Sequence, residues 1–316
     1  MKLVVAMLLL ALPAPAADEG QKAFPFKANT RKAAARWQEQ AREKLFAMMM
    51  GGQKPKAVPL APTVLRTERV PSTGAKLEEV AFQSLSDRRV HAWIGLPEGA
   101  ARKAPAVLAL HGHGGSGEQV LRGTGLYWYG AEFMRRGYVV ISPDIGSHRL
   151  QHTNWSLMGE RVWDALCTLD YLCSRPEIDK RQIAVAGLSL GGETTMYVAA
   201  MDERIKAACS SGWLTTVENM KNGHCPCWNF PGLEETFDFS DIFACVAPRP
   251  LVLEVGRKER APGGFPVEIA GRAFAGILPA YQVLSADAQL LLDIHPEGHV
   301  FHGEKFWEPL RSAIGP

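Results

Sequence analysis

The sequence predicts an α/β fold: one mixed, mostly parallel, twisted sheet flanked by helices and preceded by a helical extension. Three observations predict it. Short strand patterns with partial alternation crowd residues 64–96 and are separated by turn residues. From residue 104 onward, continuous apolar runs (APAVLALHG, YVVISPD, QIAVAGLS) alternate with helix-period segments. That is the signature of parallel strands buried on both faces with right-handed crossovers. The composition, 47% hydrophobic and 22% charged over 316 residues, suits a folded chain with one large core or two modest ones.

The elements follow in order. Residues 1–16 read as a signal peptide: Lys2, an apolar run over 3–12, then Ala14-Pro15-Ala16 ahead of the cleavage point. The run is about half the length needed to span a bilayer. The chain is therefore expected to be secreted or periplasmic, with no stable membrane insertion after cleavage. Export permits disulfides, and six cysteines allow 15 pairings, among which the sequence does not choose. Residues 17–60 form the helical extension. Asn29 or Thr30 caps a helix through ARWQEQAREKLFAMM that Gly51-Gly52 ends. The main domain spans 61–316. VLRTERV, LEEVAFQSL and RRVHAWIGL give the first strands, and 104–112, 138–144, 182–189, 205–212, 249–256 and 289–296 give the rest. Helices are expected to end near Gly137 and to cover 160–175, 191–202 and 301–314. Segment 213–245, loop-like and rich in aromatics, reads as a lid over a pocket.

The charge balance excludes one class of partner. Thirty-five basic and 33 acidic side chains leave a formal net charge of +2, with no long like-charged run, so no nucleic-acid partner is expected.

The chemistry centres on VAGLSLGGET, residues 185–194. Ser189 sits in Gly-x-Ser-x-Gly between an apolar strand and a helix-forming stretch. A tight strand-to-helix turn lifts a serine hydroxyl out of a sheet, and the glycines stand where the backbone folds back on itself. A serine also needs a base and an oxyanion site. HGHGG, at 111–115, follows a buried strand, and the backbones of His113 and Leu190 are the expected oxyanion donors. His111 is expected to organise that loop. For the base, HPEGHVFHG at 295–303 offers His299, with His295 at the strand end and His302 entering the last helix as rivals. For the acid, Glu259 lies three residues beyond Gly256 in the loop after the 249–256 strand. Glu254, within that strand, is its rival.

These segments resemble the α/β-hydrolases of the dienelactone hydrolase and acetyl xylan esterase type. The resemblance spans roughly residues 60–314 and rests on HGHGG, SRPEIDKRQIAVAGLSLGGE, CPCWNFPGLEETFDFSDIFACVAPRPLVLEVG and EGHVFHG. Related sequences often place Asp three residues after the glycine that ends the strand, with Phe-Pro soon after. This chain has Glu259 there and a longer loop before Phe265-Pro266. The resemblance implies ester hydrolysis, often of acyl groups on carbohydrate. Ser189 in place of the cysteine of dienelactone hydrolases proper argues for a serine esterase.

The expected enzyme is a secreted serine esterase acting on a small-molecule or oligosaccharide ester through an acyl-enzyme, without a cofactor. Trp155, Trp213 and Trp228 are candidates for stacking on a sugar or aryl group. No metal is expected: in His224-Cys225-Pro226-Cys227 the Cys-x-Cys spacing is poor for tetrahedral zinc, and no second ligand pair lies near in sequence. Two alternatives stay open. A serine peptidase of the prolyl-oligopeptidase type shares the mechanism but usually carries a propeller domain, whose repeats are absent here. A catalytically inactive hydrolase fold that binds carbohydrate is disfavoured by the complete Ser–acid–His order.

Overall fold

A computed structural model describes residues 22–70, 73–99 and 103–315. The signal-peptide reading of 1–16 and the start of the extension lie outside these residues. Nine strands form one sheet: β1 (Thr63–Arg69), β2 (Lys76–Leu85), β3 (Arg88–Leu96), β4 (Ala104–Leu110), β5 (Val139–Pro143), β6 (Ile178–Leu188), β7 (Ile205–Ser211), β8 (Leu251–Gly256) and β9 (Leu290–His295). Their spatial order is β1-β2-β3-β5-β4-β6-β7-β8-β9. The joints from β1 to β5 are antiparallel, and every joint from β5 through β4 to β9 is parallel. This is the mixed sheet that the strand patterns predict.

The period-2 alternation of strand side chains divides the core into two layers. In β4, Ala106, Leu108 and Leu110 face one cluster, while Val107 and Ala109 face the other. The helices that cover the two faces are α1 (Arg31–Met49), α2 (Gly117–Arg122), α3 (Trp128–Arg135), α4 (Leu157–Ser174), α5 (Leu190–Met201), α6 (Val217–Met220), α7 (Leu233–Thr236), α8 (Phe239–Ala244), α9 (Val267–Val283) and α10 (Trp307–Ile314).

Thr30 caps α1, its hydroxyl accepting from the Ala33 N–H at 3.2 Å. The helix is fastened to the domain by polar side chains that satisfy helix-end carbonyls. Gln38 donates to the Ala244 and Ala247 carbonyls at 3.0 and 2.8 Å, and Arg42 donates to the Ala200 carbonyl at 2.9 Å.

Two differences from the sequence reading have local causes. The last helix starts at Trp307 rather than near 301, because Gly303 takes φ +80° and residues 302–303 turn their N–H groups toward β8. Helix α9 was not expected, because Gly271, Gly276 and Pro279 interrupt its pattern. Gly276 is where α9 meets α8: a Cβ there would stand 2.8 Å from Ser240.

Candidate active site

The parallel strands all end on one edge of the sheet, and the loops leaving that edge build the pocket, as is usual in open α/β sheets. Ser189 occupies the turn from β6 to α5 with φ 62° and ψ −121°, a conformation rare for a residue with a side chain. The neighbouring glycines make that turn sterically feasible. A Cβ at Gly187 would collide with the backbone of Gly191, and one at Gly191 with the Leu110 carbonyl. The Ser189 N–H is anchored on the Ser211 carbonyl at 2.9 Å. The helix that follows leaves its first N–H groups, that of Leu190 among them, without intrahelical partners.

The loop after β4 brings His113 to the same pocket. Gly112 abuts the nucleophile turn: a Cβ there would lie 3.1 Å from Ser189 Cβ. His111 is buried and ties two loops together. Its Nδ1–H donates to the Gly112 carbonyl at 2.8 Å, and its Nε2 accepts from the Ile145 N–H at 3.0 Å.

The loop after β9 presents His299, and the loop after β8 presents Glu259. His299 Nδ1 meets Glu259 Oε1 at 2.6 Å. The second oxygen of Glu259 accepts from the Phe265 N–H at 3.2 Å, so the longer loop folds back to hold the carboxylate. The Phe265 ring stacks on the imidazole with ring centres 5.7 Å apart. Gly212, with φ 58°, lets the β7 end pass beneath: a Cβ there would come within 2.9 Å of His299 Cε1.

The rivals have other tasks. Glu254 is wholly buried in β8 and accepts from the N–H groups of His302 at 2.9 Å and Gly303 at 2.6 Å, fixing the loop that carries His299. His302 Nδ1 pairs with Asp293 at 2.6 Å, and His295 stacks on His302.

Ser189, His299, Glu259 and His113 line one cavity of about 260 Å³, together with Trp213 and Trp228 from the 213–245 segment. Trp155 is elsewhere. It packs between His152 and Trp163 and pairs its backbone with Met50, because its loop runs along the end of α1. That placement corrects the expectation that Trp155 stacks on substrate.

Three features escaped the sequence reading. Glu193, in the first turn of α5, reaches the cavity fully buried, and neither carboxylate oxygen has a hydrogen-bond partner among the described residues. Burial holds its carboxyl well above the usual range, against the pull of Arg161. Phe265 was read only as part of a motif. The third feature is the cavity rim, where His113 Nε2 lies 3.2 Å from Cys227 Sγ and His148 Nε2 lies 3.3 Å from Cys225 Sγ. Burial, with Arg161 and His148 next, lowers His113 to about 4. Burial raises the Cys227 thiol to about 11 although Arg161 favours its thiolate. All six cysteines are free thiols.

Comparison with known proteins agrees with this architecture. A model of the Abhydrolase family matches residues 138–263, and one of the acetyl xylan esterase family matches residues 56–149. YtaP of Bacillus subtilis (strain 168), named as a hydrolase, is 28% identical over 252 residues, 69% of this chain and 80% of that protein. A glucuronoyl esterase from Solibacter usitatus superposes with a TM-score of 0.71 at 16% identity, covering 96% of this chain and 99% of that one. An acetyl xylan esterase from Paenibacillus sp. R4 gives 0.62 at 15% identity over 92% and 98%. At such identities the structural likeness speaks for the fold. The chain has the α/β-hydrolase fold. It is an enzyme of the carboxylic ester hydrolase class: residues 56–149 match the acetyl xylan esterase family, and the fold is one that carbohydrate esterases have.

Proposed function

We propose that this chain is an exported serine esterase that removes acyl groups, acetyl above all, from carbohydrate through an acyl-enzyme on Ser189. The observation that carries the reading is a nucleophile turn at φ 62° opening into the same cavity as an imidazole held by a carboxylate at 2.6 Å.

Ser189 Oγ attacks the ester carbonyl while His299 Nε2 takes its proton. Glu259 keeps the Nδ1–H directed at itself, fixing the tautomer and stabilising the imidazolium. The N–H groups of His113 and Leu190 receive the oxyanion. Collapse of the tetrahedral intermediate expels the alcohol, protonated by His299. A water then attacks the acyl-enzyme with His299 again as base, and releases the acid. Trp213 and Trp228 line the cavity and are the side chains on which a sugar ring would stack. An acyl-sugar substrate also fits the acetyl xylan esterase family match over 56–149. Among the described residues no helix is long and apolar enough to cross a membrane; export rests on the N-terminal sequence.

The test is a panel of acetylated xylo-oligosaccharides, aryl acetates, methyl uronates and aminoacyl anilides, run beside labelling with a fluorophosphonate probe. Turnover of the acetylated sugars with probe on Ser189 is expected. Preference for the anilides would favour the peptidase, and absence of both turnover and labelling would favour a binding protein.

A further inference from the structure

His113, His148, Cys225 and Cys227 converge on one point of the cavity rim. One ligand atom from each lies within 4.8 Å of every other. We propose that these four side chains form a structural zinc site that clips three loops together beside the nucleophile.

The donor set is the first argument. Two thiols and two imidazoles make the S₂N₂ combination that selects zinc among common divalent ions. With Zn–S near 2.3 Å and Zn–N near 2.0 Å, a tetrahedral site separates its ligand atoms by about 3.3 to 3.8 Å. The two N···S contacts, 3.2 and 3.3 Å, sit close to that range, and every other pair of ligand atoms lies within 4.8 Å, so binding requires movements of about an ångström. The imidazoles of His113 and His148 already stack, with centres 5.3 Å apart, and Nε2 of each faces a sulfur.

The fold supplies what the chain order conceals. His113 comes from the loop after β4, His148 from the loop after β5, and the cysteines from the segment between β7 and β8. Pro226, between the cysteines, starts a short 3₁₀ turn over Pro226–Trp228. The cysteines are not joined to each other. Three of the four residues are exposed, so an ion can enter from solvent, while Cys227 is buried against Arg161.

Four protein ligands leave no open position for water, which makes the site structural rather than catalytic. On binding, both thiols release a proton to solvent and each sulfur forms a bond to zinc; the imidazoles bind through Nε2 and keep their protons on Nδ1. Two thiolates then balance the charge of the ion. The clip holds the backbone of His113 and seats the 213–245 segment on the cavity. The metal assignment is independent of the esterase reading, and only its consequence for turnover rests on that reading.

The experiment uses the full chain, purified under reducing conditions, stripped with a chelator and titrated with Zn²⁺ alone and with Co²⁺ alone. One Zn²⁺ per chain with submicromolar affinity is expected, and Co²⁺ is expected to give the intense visible bands of a tetrahedral thiolate site. His148→Ala and Cys225→Ser, both at the exposed rim, are each expected to weaken Zn²⁺ binding by about 100-fold or more, since even outer-shell changes at zinc sites cost 10–100-fold. Ser189→Ala is expected to keep full zinc stoichiometry, so the site and the hydrolytic reading can fail separately. Micromolar or weaker binding, an octahedral cobalt spectrum, affinity unchanged in both variants, or a zinc-free chain with a Cys225–Cys227 disulfide would each overturn the proposal.

Discussion

The two sides of the cavity are held by different physics. On the histidine side, buried carboxylates do the holding: Glu259 takes His299 and the Phe265 N–H, while Glu254 takes two N–H groups of the adjoining loop. These are charge-assisted bonds in a low-dielectric setting, and they are complete within the chain. On the opposite rim, the contacts among His113, His148, Cys225 and Cys227 are nitrogen-to-thiol contacts, weak as hydrogen bonds. One side is preorganised by the polypeptide itself. The other brings together four metal-ligating groups with little to bind them to one another.

The largest effect should come from the residue between the two sides. Ser189→Ala is expected to lower kcat on acetylated substrates by about 10⁴–10⁶-fold with the thermal midpoint unchanged. Wild-type turnover in that variant would remove the nucleophile from the account. Glu259→Gln is expected to cost about 10³–10⁴-fold in kcat, because an amide no longer fixes the histidine tautomer. A small loss accompanied by a raised KM alone would mean that the carboxylate merely braces the loop.

Glu254→Gln tests the support one layer down. Gln offers one acceptor oxygen where two N–H groups need partners, so the fold is expected to lose about 1–3 kcal/mol in urea denaturation. Activity is expected to fall less than in Glu259→Gln. A larger loss of kcat than Glu259→Gln gives would reverse the assignment of the two glutamates.

The smallest effect lies at the root of the rim. His91 bridges Glu79 at 2.8 Å and Asp144 at 2.7 Å, and Asp144 also receives the Gly117 N–H that starts α2. Burial pulls His91 down, but the two carboxylates outweigh it and hold the imidazole above its ordinary 6.5. Its folded value being the higher, its contribution is complete below about pH 6.5 and is lost as pH rises through the raised value. At this half-exposed position the contribution should stay under about 1 kcal/mol. His91→Gln should therefore flatten the fall in thermal midpoint above that pH. An unchanged pH profile would show that the bridge contributes nothing.

Much of the fold was legible in sequence because its determinants are local. Continuous apolar runs mark the parallel strands, and Thr30 with Gly51-Gly52 brackets α1. The nucleophile turn was legible for the same reason, since Gly187 is demanded by a backbone collision with Gly191, four residues on. Helix α9 was hidden because Gly271, Gly276 and Pro279 break its pattern, and the reason for Gly276, its close approach to Ser240 of α8, exists only in the folded chain. Trp155 was misplaced because a loop's position at a strand end does not say which way the loop runs.

What the sequence alone determined is the α/β order, the strained serine turn and the glycine-rich loop, since each follows from neighbours along the chain. Only tertiary structure decided which glutamate meets His299: the choice depends on where β8 ends and how the 257–266 loop folds back. It alone also joined His113 and His148 to Cys225 and Cys227, because three loops on one sheet edge become neighbours only after the parallel crossovers have formed.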